Sequence, residues 1–158
     1  MERLWLKSYP EGIKHEIDVD EYQSVADVFN QAVDKFSELP AFCNMGTTLS
    51  YADMGRLTTQ LAAYLQSIPG MQKGDRVAVM MPNLLQNPVA IFAILKAGFT
   101  VVNTNPLYTA RELRHQLKDS GTKVIIVVDN FCDTLEAVID DTDIEQVITT
   151  QLGDMLKF

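Results

Sequence analysis

This chain is short of the residues that most often carry chemistry or fasten small folds. Its 158 residues include two cysteines, two histidines and one tryptophan. Cys43 and Cys132 lie far apart and match no zinc or redox spacing, which argues against a disulfide scaffold and for a reducing cytoplasm. Positive charge is scarce as well: 13 Lys and Arg against 21 Asp and Glu leave a formal net charge of −8. A phosphate-backbone binder needs the opposite balance, so nucleic acid is not an expected partner. No apolar run reaches the roughly 20 residues of a spanning helix. The most apolar stretch, Pro88 to Val102, is interrupted by Lys96 and Gly98. The opening Met1 to Lys7 carries charge on both sides of a very short apolar patch, too short for the core of an export signal.

What is present is a chain that is 47% hydrophobic and 22% charged, a balance unlike that of disordered segments. A domain of this size buries about 70% of its unfolded surface, so a core can form without disulfides. Beyond an irregular arm spanning residues 1–22, Val25, Val28, Phe29, Ala32, Val33 and Phe36 recur at helical spacing. Ser24 with Asp27 marks the start of that helix, a near relative of the capping box. Ala41 to Tyr51 reads as two short strands around Met45-Gly46, and Ser50 with Asp53 opens a second helix that Pro69-Gly70 ends.

Arg76 to Met81 contains an unbroken apolar run, Val77-Ala78-Val79-Met80-Met81, of the kind buried on both faces of a parallel sheet. Leu84 to Ala97 is apolar nearly all round, which predicts a buried helix. Its start is open: Asn87 caps it with Pro88 in the first turn, or it begins near Asn83 and kinks at Pro88. Thr100 to Asn103 is a further strand, and Thr109 with Glu112 opens a helix that Ser120-Gly121 closes. Lys123 to Val128 is another buried strand. A short helix from Asn130 to Ile139 and a strand near Gln146 to Thr150 follow. This alternation predicts an α/β fold, a mainly parallel sheet flanked by helices on both faces and joined by right-handed crossovers.

Groups that could carry chemistry are few and dispersed. Met45 to Ser50 resembles a phosphate loop in its glycine and hydroxyls, but it lacks the lysine and does not run from a buried strand into a helix. A hairpin turn is the better reading. His15 and His115 stand alone. Asp18, Asp20 and Glu21, and likewise Asp140, Asp141 and Asp143, lack the fixed spacing and turn glycine of a calcium loop. Arg111, Arg114 and Lys118 share a helix face on which an anion or acidic lipid could settle, though Glu112 and Asp119 dilute the charge. From the residues alone, this is a parallel α/β domain without a complete active site.

Two segments resemble the opening motifs of the adenylate-forming ligases. They are Leu49-Ser50-Tyr51-Ala52-Asp53-Met54 and Leu95-Lys96-Ala97-Gly98-Phe99-Thr100-Val101-Val102-Asn103-Thr104-Asn105-Pro106. Three others resemble the bacterial long-chain fatty-acid CoA ligases within that superfamily: Lys73 to Ala78, Met81-Pro82-Asn83, and Asn105 to Leu113. The resemblance implies that residues 23–158 form the N-terminal α/β subdomain of a longer enzyme, preceded by the arm at 1–22. It implies a fatty acid, ATP, magnesium and CoA as substrates and cofactors of the intact enzyme. A homodimer and peripheral association with the inner face of the cell membrane are implied as well. The superfamily's phosphate loop, its later Thr-Glu motif, its hinge Asp and its C-terminal Lys have no counterpart here. No catalytic, cofactor-binding or metal residue is therefore carried over to this chain, which is expected to be inactive alone. Ser50, Gly98, Pro106, Thr109 and Gly121 are expected to be structural, and the helix from Leu84 to Ala97 to lie in the core rather than in a fatty-acid tunnel. Trp5 is expected to pack either on a partner subunit or on its own domain. The alternatives are a free-standing α/β binding or dimerisation module, and a flavodoxin-like domain. The latter needs an acidic cluster or glycine loop at strand ends that Met81-Pro82-Asn83 and Asn103-Thr104-Asn105 do not supply.

Overall fold

The computed structural model describes residues 3–157. A 3-10 turn, Leu4–Ser8, is followed by an extended arm without helix or strand up to the first α-helix, α1 (Val25–Phe36). Ser24 caps α1 by accepting the Asp27 N–H, and the Asp27 carboxylate reaches back to the Gln23 N–H. The hairpin is formed by β1 (Pro40–Asn44) and β2 (Thr47–Ser50), paired antiparallel. Met45 and Gly46 both take positive φ, as a two-residue turn requires to match strand twist, so this glycine belongs to a hairpin and not to a phosphate loop.

The second helix, α2 (Tyr51–Ser67), opens on the Ser50/Asp53 box, in which the Asp53 carboxyl is held below its usual range by the Ser50 hydroxyl and N–H. Four strands follow: β3 (Arg76–Met80), β4 (Thr100–Thr104), β5 (Val124–Val128) and β6 (Gln146–Thr150). They form one wholly parallel sheet in the order β4-β3-β5-β6. Between them run α3 (Gln86–Lys96), α4 (Ala110–Ser120) and the single-turn α5 (Cys132–Glu136).

Alternation along the strands builds a core on each face. Val77, Val79, Val124 and Ile126 meet Ala90, Ala93 and Ile94 of α3 and Leu65 of α2. From the other face, Ala78, Met80, Ile125 and Val127 meet Leu113 and Leu117 of α4 and Leu135 of α5. A third cluster joins the hairpin to the helices through Phe29, Leu49, Met54, Leu85 and Val89, with Phe29 stacked on Phe92 at 4.2 Å between ring centroids. The helix expected from Leu84 is thus part of the sheet-helix core.

Two boundaries differ from expectation. Helix α3 starts at Gln86, so Asn87 does not cap it and there is no kink from an earlier start. Pro88 takes the third helical position, where its missing N–H would have had no helical partner in any case. Gln86, buried, donates from Nε2 to the Gln151 carbonyl at 2.8 Å and ties the helix start to the exit of β6. The segment expected as a helix from Asn130 to Ile139 is broken into a 3-10 turn (Asp129–Phe131), α5 and a second 3-10 turn (Ile139–Asp141). Phe131 packs against the core on both faces of the sheet, and Val138 leaves helical backbone (φ −133°, ψ −9°) while staying buried. Tertiary packing outweighs local propensity there.

At the amino edge of the sheet, Asp75 accepts the Gln72 N–H at 2.8 Å and Lys123 Nζ at 2.9 Å. Its neighbour Arg76 donates to the Ser120 and Gly121 carbonyls. The Gln72 N–H first, and then Lys123, hold the Asp75 carboxyl below its usual value. A depressed folded pKa adds stability above the unfolded value, about 4, and that stability is lost as pH falls through the folded value. Urea midpoints of the wild type and Asp75→Asn should therefore differ most above about pH 5 and converge on acidification. A gap that stays constant down to pH 3 would mean that ionisation of Asp75 contributes nothing.

Candidate functional site

Ligands of doubly wound sheets sit outside the carboxyl ends of strands whose connections leave to opposite faces. The connection after β3 runs through α3 on one face, and that after β5 through α5 on the other. The switch point therefore lies between β3 and β5, where Met81-Pro82-Asn83 and Asp129-Asn130 emerge. Next to it β4 exits through Asn105-Pro106-Leu107, with Leu107 80% exposed. This rim is rich in amides and holds neither a glycine loop nor a lysine.

A crevice of about 460 Å³ opens at the β3 exit. One wall is β1, through Phe42, Cys43 and Asn44. The floor is Asn83, Leu84 and Leu85, and α3 supplies Asn87, Pro88, Ile91 and Phe92. None of these residues is charged. The Asn44 Nδ2 donates to the Asn83 carbonyl at 3.1 Å and pins the hairpin to the strand exit. Asn44 Oδ1 is buried and has no hydrogen-bond donor. Such a lining favours an uncharged, largely apolar occupant with a few polar groups.

A second hollow, of about 940 Å³, lies over α4 and is bounded by Arg111, Arg114, His115 and Lys118 together with Thr109, Glu112 and Asp119. Every one belongs to a single helix or its cap, so no second element walls it. Arg114 is paired with Asp141 at 3.2 Å. The Thr109 N–H and hydroxyl hold the Glu112 carboxyl ionised and low in pKa. The basic face is therefore partly neutralised by its own neighbours.

The other side chains weighed from the sequence remain apart. His15 meets Tyr9 edge-on at 5.9 Å in the arm, and His115 stays on the exposed side of α4. Asp18 accepts the N–H of Asp20 in a local turn. Among the described residues, no three or more His, Cys, Asp or Glu side chains gather where they could hold a metal. Cys43 is exposed in the crevice. The Cys132 thiol is pushed up by burial and by Asp129 and Asp133, the reverse of an activated nucleophile. Asp154, like Asp53, Asp75 and Glu112, has a lowered pKa caused by a local bond, here the Gln151 N–H. These carboxylates cap turns and helices rather than converge on one point. Trp5 is 57% exposed in the arm.

The profile of the AMP-binding enzyme family matches residues 29–157, and the chain belongs to that family. It is similar to the N-terminal part of long-chain-fatty-acid–CoA ligases. It is 52% identical to the enzyme of Escherichia coli over 157 residues, and 48% identical to that of Haemophilus influenzae over 158 residues. These alignments take in 99% and 100% of this chain and 28% of each relative. The chain thus spans little more than a quarter of the length of these relatives. A solved long-chain-fatty-acid–CoA ligase from Archaeoglobus fulgidus superposes with a TM-score of 0.73 at 28% identity, over 80% of this chain and 27% of that one. The family and fold expected from the motifs are those observed.

Proposed function

We propose that this chain is the N-terminal portion of a long-chain fatty-acid CoA ligase. The observation that carries this reading is the identity of about half over essentially the whole chain to enzymes of that name. In the reaction, a fatty carboxylate oxygen attacks the α-phosphorus of ATP, giving acyl-adenylate and pyrophosphate. The CoA thiol then attacks the acyl carbon and AMP leaves. Magnesium would supply charge neutralisation on the phosphates.

In this reading the described residues do not hold those ligands. They gather no metal donor set, the glycine turn at Met45-Gly46 closes a hairpin, and the carboxylates with lowered pKa are occupied by their own backbone partners. In this reading residues 23–158 are a scaffold, and the groups that act on ATP, CoA and the acid lie elsewhere in the intact enzyme. Fatty-acid-dependent AMP release tests it: the full-length protein should form AMP from ATP, CoA and a long-chain acid, and residues 1–158 alone should form none. A native gene product of 17.7 kDa would overturn the reading in favour of a free-standing module.

Cytoplasmic placement, peripheral membrane association and homodimerisation are part of the same proposal. Among the described residues no helix is long and apolar enough to cross a membrane. The exposed Leu4, Trp5 and Tyr9 of the arm support a dimer contact. Trp5→Ala in the intact enzyme should move its sedimentation toward the monomer at micromolar concentration, because buried aromatic anchors dominate interface energies. An unchanged dimer would exclude the arm from the interface.

A further inference from the structure

The crevice beside β1 has features that a small molecule would not satisfy. The hairpin is a separate sheet of two strands, an arrangement that is marginal unless something further packs on it. Its β2 side is secured, with Thr47 and Leu49 buried and Leu49 in the cluster with α1 and α2. The β1 side is not: Phe42 is 38% exposed and Cys43 is exposed.

Consecutive strand residues point to opposite faces. A crevice touched by Phe42, Cys43 and Asn44 in succession therefore runs along the edge of β1, not across one of its faces. The two-residue turn makes Asn44 and Thr47 a hydrogen-bonded pair, so the next pair, Cys43 and Thr48, is of the non-bonded kind. The N–H and C=O of Cys43 consequently point out of the hairpin toward the crevice. Asn44 adds a buried Oδ1 that lacks a donor. Opposite them stand the apolar Leu84, Pro88, Ile91 and Phe92.

An alkyl chain could fill the apolar side, but it offers nothing to the outward backbone groups or to Asn44. An extended peptide offers both, in the manner of strand addition to a free edge. We propose that the edge of β1 is completed by a β-strand from the part of the intact enzyme that lies outside residues 1–158. The occupant is set by length and chemistry: the relatives are matched over only 28% of their length, so most of the polypeptide is available to supply it. The uncharged lining calls for an uncharged segment with apolar residues at alternate positions. This inference rests on the reading of the chain as part of a longer ligase.

Cys43 is a built-in reporter. In the full-length enzyme, alkylation of Cys43 by iodoacetamide, followed by peptide mass spectrometry, should be about tenfold or more slower than in the same protein unfolded in urea at the same pH. Exchange of the Cys43 backbone N–H, read in parallel, should be slowed as well. Free alkylation of Cys43, or slow alkylation with a freely exchanging N–H, overturns strand addition. Protection that disappears on dilution assigns the edge to a second copy, and protection that appears only with added oleate assigns the crevice to a fatty acid; either result overturns the proposal. A native product of 17.7 kDa removes the supplier of the strand and fells the ligase reading with it, whereas a longer product with a reactive Cys43 fells this inference alone.

Discussion

Leu117→Ala should lower the unfolding free energy of this chain by about 3–4 kcal/mol, in the middle of the range for Leu-to-Ala core changes. Leu117 is fully buried on α4 and faces the sheet beside Leu113, against Ala78, Met80, Ile125 and Val127. Two terms add: the transfer of the lost carbons, and the cavity left where neighbours cannot close in. The second should be large here. The opposing wall is β3 and β5, and each of these strands is paired on both sides, so the backbone is held from moving into the gap. The change also lies at the helix end, where the Leu117 carbonyl accepts the N–H of Thr122 at 3.2 Å. Leu107→Ala is the control, since that side chain is largely exposed and its loss should stay within about 0.5 kcal/mol. Urea midpoints measure both; a Leu117→Ala cost near 1 kcal/mol would mean that the sheet collapses into the cavity.

What the sequence discloses of this fold is chiefly what local chemistry determines. The three helix starts at Ser24, Ser50 and Thr109 lie where a hydroxyl and a carboxylate three residues apart place them. The stop at Gly121 follows from the one residue type that takes left-handed backbone without strain. The continuous apolar runs of β3 and β5 announce strands covered on both faces, and burial is complete along β5. Strand order is different in kind. Nothing within Val124–Val128 shows that β5 pairs with β3 and not with β4, because pairing is decided by which helix covers which face. The broken segment after β5 is illegible for the same reason: Phe131 and Val138 are positioned by cores assembled from distant residues.

The candidate site is harder still to read in advance. Its geometry depends on Asn44 meeting Asn83 across 39 positions, and Asn44 belongs to none of the recognised motifs. The run Met81-Pro82-Asn83 was legible as a strand exit and as part of a resemblance to ligases, but not as the floor of a crevice whose wall comes from the hairpin. The only hint was the hairpin itself, a two-strand unit with Phe42 and Cys43 and no third strand to cover them. Reactive chemistry was absent from the motifs, and the lowered carboxylates of the structure are turn and cap residues, so the functional reading rests on similarity over the whole chain and not on a constellation of side chains.

The same distinction between local and distant causes meets at Gly121, where the second large effect is expected. Gly121 has φ +58° and closes α4, and a Cβ built there would lie 2.6 Å from Arg76 Nη2. Gly121→Val should therefore incur two costs. Left-handed backbone at a residue with a Cβ costs roughly 1–2 kcal/mol, and a β-branched side chain lies at the upper end. Displacing the guanidinium forfeits its bonds to the Ser120 carbonyl at 2.9 Å and the Gly121 carbonyl at 2.6 Å. Hydrogen bonds from a charged donor are worth about 1.5–3 kcal/mol each when lost from a partly buried site. A loss of about 3–5 kcal/mol is expected in urea unfolding, summed conservatively because the two bonds share one side chain. Gly74, with φ +88° and nothing within 4 Å of a built Cβ, isolates the first cost, so Gly74→Ala should be milder than Gly121→Ala. Arg76→Ala combined with Gly121→Val isolates the second: the double variant should be less destabilised than the sum of the singles, by about 1 kcal/mol or more. Strict additivity would show that the glycine acts through backbone conformation alone. Coupling would show that the start of β3 and the end of α4 are held as one unit, fixing at the amino edge the strand and helix whose other ends, Met80 and Thr109, border the carboxyl rim.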